Sequence, residues 1–507
     1  MNSRILKLGT RKSLLATAQS RHIARQVEQL NPGVKVELVG IETRGDRLLD
    51  VPLRAAEGKE FFVAEIDDAL KSRAVDFTVH SLKDLSLERP PCFHCAAIPK
   101  RANPRDVIVF NSKTIEKLKN GKKISIGTSS PRRLENVPDF LKQALPFAQN
   151  TQLDFVEIRG NVNTRLSRIH LDNNDPKYLE GVILAFAGLI RLWNDNDANL
   201  EMATLLNGVK WMVLPLDYCP SAPGQGALAV ECRADDGFVK DALARLNDKE
   251  TSIHVSIERQ LLGKYGGGCH QRFGATSITH PELENLFFVK GTKESGEPIA
   301  ELRWNCPMKK PKDGPSFDGS KFRQETKETL PSLPDGNSVF VANARAATKE
   351  TLCWLSDKRI WTSGTSSWFK LANKGLWVEG CAESLGIEHL LPFFHEKVLN
   401  LPIFNDWVVL THKNATLSWN SEFIAPKTVA TYELLGPKDL DTATAKVREA
   451  TNFFWMSGSQ FDQFKAILPG GATHSCGSGK TAQHLRKFGL EPLIFPSTEE
   501  WRKWITQ

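Results

Sequence analysis

From residue 4 to residue 193 the chain alternates short apolar runs of strand character with longer runs of helical period. No other feature narrows its possible folds so far. "RILKLG" opens the series. Ala16, Ile23, Val27 and Leu30 then fall at gaps of seven, four and three, on one predicted helical face, and "VKVELVGI" follows with a period of two. The same succession returns at "VDFTVHS", "KISIGTSSPRR", "LDFVEIRGNVNTRLSRI" and "GVILAFAGLIRL". Such alternation specifies an α/β architecture with mainly parallel sheets. At 507 residues the chain is too long for one core, and about 150 residues per domain gives three or four.

In open α/β sheets ligands bind beyond the carboxyl ends of the strands, so the residues leaving each strand are the informative ones. "VDFTV" is followed by His80, Ser81, Leu82, Lys83 and Asp84; "ISI" by Gly127, Thr128, Ser129, Ser130, Pro131, Arg132 and Arg133; "LDFVEI" by Arg159, Arg165 and Arg168. Ser130 is suited to cap a helix and Pro131 to open it, which puts Arg132 and Arg133 in a first turn. Cations there oppose the helix dipole, an arrangement that makes sense where an anion docks beside them. Arginine forks match carboxylates and phosphates, so the set with Arg11 and Lys83 points to a ligand bearing several such groups. Nucleic acid is the competing ligand and ranks lower, because aromatic residues for base stacking are sparse near these arginines. Asp84 reads either as a salt-bridge partner of these cations or as a carboxylate that stabilises positive charge during chemistry.

"KYGGGCHQRFG" places Cys269 directly behind three glycines and before His270 and Arg272. A structural cysteine packs among aliphatic residues. An exposed thiol beside cations is instead set up to react, although this stretch alone also fits a flexible loop with an incidental cysteine. The nine cysteines form no secreted-type framework, and "MNSRILKLGT" lacks an apolar signal core, so a reduced, cytoplasmic protein is expected. "CFHC" at 92–95 has zinc-like spacing without a second pair, and no metal is expected. No stretch approaches about 18 consecutive apolar residues, so no membrane association is expected.

The combination "GTRKSLLA" (9–16), "ETRGDRLLD" (42–50), "HSLKDL" (80–85), "GTSSPRR" (127–133), "RGNVNTRL" (159–166), "APGQGALAVECR" (222–233) and "GGGCHQRFG" (266–274) closely resembles porphobilinogen deaminase, in that family's order, over roughly residues 1–330. The resemblance implies a dipyrromethane cofactor on Cys269 through a thioether. It also implies head-to-tail joining of four porphobilinogen units with loss of ammonia and release of hydroxymethylbilane. Each pyrrole carries an acetate and a propionate, which accounts for the arginines. Asp84 matches the catalytic carboxylate that hydrogen-bonds pyrrole N–H groups and stabilises the cation formed as ammonia leaves. Lys83, Thr128, Ser129, Arg132, Arg133 and Arg159 match cofactor ligands. Arg11, Ser13, Arg159, Arg165, Arg191 and Gln225 match substrate positions, and Asp46, Lys59 and Phe62 match the lid around "GKEFF". Departures from the family pattern are Glu60 for a glycine, Leu14 and Arg272 for prolines, and Pro131 for a leucine.

The fold implied is α/β. Two similar periplasmic-binding-protein-like domains cover 1–101 with 215–235 and 102–214, and a small α+β domain at 236–333 carries the cofactor cysteine. "PDGN" reads as a linker at 334–338, with a further domain at 339–507. There "RIWTSGTSSWFKLANKGLWVEGCAESLG" (359–386) is echoed by "FFWMSGSQFDQFKAILPGGATHSCGSGKTAQHLRKFG" (453–489), which implies two similar α/β lobes. "HSCGSGKT" matches only the end of a phosphate-binding loop, because His474 stands where the first glycine belongs. With "VATYEL", the echoing halves resemble uroporphyrinogen III synthase in shortened form, with Glu383 where the first glycine turn usually has threonine. Tyr432, Ser363, Ser457 and Thr481 match its few polar site residues.

The resemblance therefore implies a bifunctional enzyme of tetrapyrrole (heme) biosynthesis, monomeric, with porphobilinogen and hydroxymethylbilane as ligands and no nucleic acid partner. Two alternatives stand beside it. One is a deaminase whose C-terminal region has become a structural or docking domain; the other is an anion-binding protein of the periplasmic type, which would have no use for a pyrrole adduct on Cys269.

Overall fold

"RILKLGTR" and "VKVELVGI" become the first two of ten strands that build two five-stranded sheets: β1 (Arg4–Arg11), β2 (Val34–Ile41), β3 (Phe77–Ser81), β4 (Phe93–Ala97), β5 (Asp106–Phe110), β6 (Ile124–Gly127), β7 (Leu153–Val156), β8 (Gly181–Ala185), β9 (Lys210–Val213) and β10 (Leu228–Arg233). The computed structural model describes residues 4–43, 63–265, 271–322, 324–422 and 427–507. The chain divides into two units. The first comprises Met1–Leu141, Asn150–Ser277 and Phe287–Leu302; the second comprises Lys142–Gln149, Ile278–Leu286 and Arg303–Gln507.

In the first unit the strand orders are β2-β1-β3-β10-β4 and β7-β6-β8-β5-β9. β1 runs parallel to β2 and β3, and β10 antiparallel to β3 and β4. Likewise β6 runs parallel to β7 and β8, and β5 antiparallel to β8 and β9. The two sheets therefore share order and direction. The chain leaves the first sheet after β4 and returns to it as β10, so two connections near residues 101 and 225 join them.

The helix Leu14–Leu30 is capped by Ser13, whose hydroxyl accepts from the Ala16 N–H. It buries Ser20, Ile23, Ala24 and Val27, with Ile23, Ala24 and Val27 packed against Leu6, Leu8, Phe77 and Val230. Leu30, expected on that face, is 43% exposed. It is the last helical residue, and Asn31 takes the inward place by donating to the carbonyls of Val27 and Ala242. A three-stranded sheet, β11 (Arg272–His280), β12 (Glu284–Thr292) and β13 (Pro298–Arg303), follows the helix Lys249–Lys264. Phe273, Ala275, Phe287 and Val289 close over Leu261 and Leu262 of that helix.

The second unit contains β14 (Ser316–Asp318), β15 (Gln324–Glu328), β16 (Ser338–Val341), β17 (Arg359–Thr362), β18 (Val378–Cys381), β19 (Val408–His412), β20 (Lys427–Pro437), β21 (Asn452–Trp455), β22 (Thr473–Cys476) and β23 (Leu493–Ile494). They form one sheet in the order β14-β21-β22-β23 and another in the order β15-β20-β19-β16-β17-β18. The echoing halves thus lie in different sheets. This fold starts earlier than the sequence suggested, because β14 and β15 precede 334–338 and pair with β21 and β20. The reason is local: in "KKPKDGPSFDGSKF" the charges obscure Phe317, which is fully buried, stacked on Phe322 at 4.9 Å and packed beside Trp455 at 5.4 Å.

Candidate active site

Each polar strand exit of the first unit becomes a turn that presents side chains. After β3 the residues Leu82–Asp84 form a single turn of 3-10 helix, with Leu82 buried beneath and Asp84 exposed. The Lys83 ammonium is held below its ordinary pKa by burial, with Arg133 and Arg132 adding to the depression and Asp84 and Asp106 opposing it. After β6 the Thr128 N–H donates to the Val156 carbonyl and its hydroxyl accepts from the Ser130 N–H. The Ser129 hydroxyl donates to the Ile158 carbonyl. The next helix begins at Pro131, so Arg132 and Arg133 do occupy its first turn.

Their environment is not the solvated basic surface that a first turn of arginines could have been. Arg132 and Arg133 are 3% and 6% exposed and share one carboxylate, Asp106, itself fully buried at the start of β5. Arg132 Nη2 donates to Asp106 Oδ2 at 2.8 Å and Arg133 Nη2 to Oδ1 at 2.7 Å. Their Nη1 groups donate to the carbonyls of Pro220 and Ile183, and the Nε–H of each is buried without a partner. Gln225 Nε2 donates to Asp106 Oδ1 at 2.9 Å, while Gln225 Oε1 accepts from Lys83 Nζ at 3.4 Å. The two guanidinium charges and the Gln225 hydrogen bond outweigh burial and hold the Asp106 carboxyl far below the usual carboxylate range. Sequence reasoning missed Asp106. Its one signal is an acidic residue opening the apolar run "DVIVF".

A second group of cations, Arg165, Arg159 and Arg191, has no such counter-charge among the described residues. Burial pushes the Arg165 guanidinium down to about 10, with Arg133, Arg168 and Arg159 adding to the shift. Arg165 Nε donates to the Gly160 carbonyl, and Arg159 keeps a buried Nη2 without a partner. Arg191, also pushed down to about 10 by burial, donates to the Gly226 carbonyl at 2.6 Å. Gly226 has φ 86°, and a Cβ there would lie 2.5 Å from the Ala102 carbonyl oxygen, so the two connections pass too closely for any side chain. Outside that group, Arg11 ends β1, two residues before the Ser13 cap. A ligand with several carboxylates is the chemistry this array suits, since buried guanidinium N–H groups without partners are costly unless an acceptor meets them.

Asp46, Lys59, Phe62 and Cys269 lie outside the described residues. Among the described cysteines, burial pushes the thiols of Cys95 and Cys232 up to about 11 and that of Cys476 up to about 12, away from thiolate chemistry. Asp67, His80 and Glu231 approach one another closely enough for a cation, but Arg89 already bridges Asp67 and Glu231 at 2.8 Å to each. His80 is neutral there, its pKa pushed down to about 4 by burial. Cys95 of "CFHC" lies within β4.

In the second unit Tyr432 is buried on β20, opposite Glu328 of β15 and His412 of β19, with its hydroxyl pKa pushed up to about 12 by burial. The Ser457 hydroxyl is committed to a helix cap, accepting from the Gln460 N–H. The Ser363 carbonyl accepts from the Ser384 N–H after β18, and Thr481 lies in the first turn of the helix Lys480–Lys487. The turns that follow β18 and β22 meet, since a Cβ on Gly479 would lie 3.3 Å from Gly386 Cα. Glu383 occupies its turn in the left-handed region at φ 53°, with its carboxylate 3.3 Å from His389 Nε2. Among the described residues no helix is long and apolar enough to cross a membrane.

A family model described as porphobilinogen deaminase, dipyromethane cofactor binding domain, matches residues 6–241. The chain is 40% identical over 276 residues to the porphobilinogen deaminase of Syntrophobacter fumaroxidans, a match spanning 54% of this chain and 80% of that protein. It is 38% identical over 302 residues to that of Syntrophotalea carbinolica, spanning 59% and 87%. With that of Geobacter sulfurreducens it shares 39% over 307 residues, again spanning 59% and 87%.

Proposed function

Since the chain belongs to the porphobilinogen deaminase family, we propose that its first unit joins four porphobilinogen units into hydroxymethylbilane at the array around Asp84, Lys83, Arg132 and Arg133, on a dipyrromethane carried by Cys269. The dipyrromethane cofactor goes with the family. When bound, it supplies the pyrrole carbon on which the chain is extended. The observation that carries the residue assignment is the surplus of buried cation. Arg132 and Arg133 share a single carboxylate, and among the described residues Arg159 and Arg165 pair with none. Such a surplus fits acetate and propionate groups and does not fit a neutral ligand.

In this reading Lys83, Thr128, Ser129, Arg132, Arg133 and Arg159 hold the cofactor, and Arg11, Ser13, Arg165, Arg191 and Gln225 meet the incoming substrate. Arg132 and Arg133 are oriented by Asp106, and Arg191 by the Gly226 carbonyl. Asp84 is the exposed carboxylate beside these cations. Its role is to accept a pyrrole N–H and to hold the positive charge that develops as ammonia departs. Asp46, Lys59 and Phe62 are assigned to the lid. The shared strand order of the two five-stranded sheets supports two similar domains of periplasmic-binding type; of the cofactor-carrying domain expected over 236–333, the part beyond Leu302 falls in the second unit.

Intact-mass measurement of the full chain tests the attachment. The expected result is a dipyrromethane adduct that Cys269→Ala abolishes; an active chain of bare mass overturns it. Asp84→Asn is expected to keep the adduct and the melting temperature while turnover falls at least a hundredfold. Most of the turnover surviving in that variant would remove Asp84 from the chemistry.

For the second unit we infer a uroporphyrinogen III synthase-like activity that closes hydroxymethylbilane with inversion of its last ring. Two sheets of mainly parallel strands, each containing one of the echoing halves, with turns that meet at Gly386 and Gly479, support it. Chromatography of the oxidised porphyrins tests it. The full chain is expected to give the type III isomer, and Tyr432→Phe a mixture with type I. Type I product alone from a full chain with working deaminase leaves the second unit as a structural or docking domain.

A further inference from the structure

Asp106 stands apart from the ligand-matching residues, yet it organises them. Each of its carboxylate oxygens takes one guanidinium, Oδ2 from Arg132 at 2.8 Å and Oδ1 from Arg133 at 2.7 Å, and Oδ1 also takes the Gln225 amide at 2.9 Å. The Gln225 amide also donates to the Pro104 carbonyl at 2.7 Å, which fixes its orientation and so the side on which Oε1 meets Lys83 Nζ. Three cations from two strand exits are therefore aligned on one buried carboxylate. Their charges exceed it by two, counting Lys83, Arg132 and Arg133 against Asp106. A second buried carboxylate there would consume the charge that ligand carboxylates need. With no carboxylate at all, two guanidiniums would be buried side by side without a shared partner.

We propose that Asp106 is a positioning residue for ligand carboxylates, setting the two guanidinium planes and, through Gln225, the Lys83 ammonium. This rests on the reading that Arg132, Arg133 and Lys83 hold carboxylates of the cofactor. Substitution of Asp106 therefore acts on ligand binding and cofactor retention as well as on stability.

The test uses the full chain as Asp106→Asn, Asp106→Glu, Arg132→Leu and Arg133→Leu. Each variant is assayed for the fraction of chains carrying the adduct by intact mass, for KM and kcat with porphobilinogen, and for melting by circular dichroism. The expected order of adduct fraction is wild type, then Asp106→Glu, then Asp106→Asn, because glutamate keeps the charge and asparagine does not. KM is expected to rise about tenfold or more in Asp106→Glu, as the carboxylate moves by one methylene and the charge-assisted hydrogen bonds are displaced. A packing role predicts the reverse order, since asparagine matches aspartate in shape and glutamate is larger; that order overturns the proposal. So does a wild-type KM and adduct fraction in folded Asp106→Glu, which carries the test should Asp106→Asn fail to fold. If Arg132→Leu and Arg133→Leu both keep the adduct and the wild-type KM, the carboxylate-binding reading fails, and the proposal with it.

Discussion

Replacing Glu258 by glutamine removes one negative charge from the point where both connections between the five-stranded sheets are held. Glu258 is fully buried and accepts four hydrogen bonds: from Arg101 Nη1 at 2.6 Å, Arg101 Nη2 at 2.9 Å, the Gly224 N–H at 2.7 Å and the Ser277 N–H at 2.7 Å. Arg101 also donates through Nε to the Gln225 carbonyl at 2.7 Å, so one ion pair fixes the outgoing connection at 101 and the returning one at 224–225. A glutamine in the same pose keeps an acceptor on the Ser277 side. On the other side its NH2 faces two donors, the Gly224 N–H and Arg101 Nη2, and the buried guanidinium loses its counter-charge. Breaking such a pair from one side costs about 3–5 kcal/mol. At about 2–4 °C per kcal/mol the first unit should melt roughly 6–20 °C lower, read by differential scanning calorimetry. Arg101→Met combined with Glu258→Gln removes the orphaned charge. The double variant should therefore lose less than the sum of the two single losses, with a coupling of about 1–3 kcal/mol. A fall of under about 2 °C in Glu258→Gln, or strict additivity in the cycle, would refute the assignment of this pair as the clamp on the connections.

Two further outcomes follow from burial and strand pairing. The folded pKa of His80 is about 4 against an unfolded 6.5, so the unfolded chain takes up the proton first. Stability is full above pH 6.5 and falls by up to roughly 3 kcal/mol as pH drops toward 4. His80→Gln should flatten the melting-temperature profile between pH 6.5 and 4, and a profile identical to wild type rules the histidine out. A chain ending at Gly336 keeps β14 and β15 without their partners β21 and β20 and exposes Phe317. Light scattering should show it associating where a chain ending at Leu302 does not, with both retaining porphobilinogen turnover; two monodisperse products would mean that β14 and β15 do not need that pairing.

How much of this fold could be read from residues alone depended on whether the signal was local. "VKVELVGI" is β2 from end to end, and "RILKLG" lies inside β1, because a half-buried strand writes its period into its own residues. The helix behind them shows its period equally, but Leu30 departs from its inner face, because whether a terminal residue turns inward depends on the distant carbonyl of Ala242 that Asn31 reaches. The start of the second unit is hidden in the residues for the same kind of reason. A three-residue strand in a charged stretch has almost no period to show, and Phe317 acquires its meaning only against Phe453 and Trp455, more than a hundred residues later.

The site was legible to a similar depth. Strand exits indicated where cations would collect, since the carboxyl ends of parallel strands converge in this class of fold. Which cations would be neutralised was hidden, because that depends on pairings across the two connections. Asp106 lies twenty-six residues from Arg132 and more than a hundred from Gln225. A pattern of arginines therefore overstates the free charge of a site until its internal carboxylates are located. Here Asp106 offsets part of the surplus around Arg132 and Arg133, while Arg165 lies near Arg133, Arg159 and Arg168, with only cations adding to its shift. On the proposed reading, the second group is thus the place where, among the described residues, ligand carboxylates would have least competition. Arg165→Leu should accordingly weaken porphobilinogen binding while costing little stability, unlike Arg132→Leu, which would leave Asp106 short of a partner in the core.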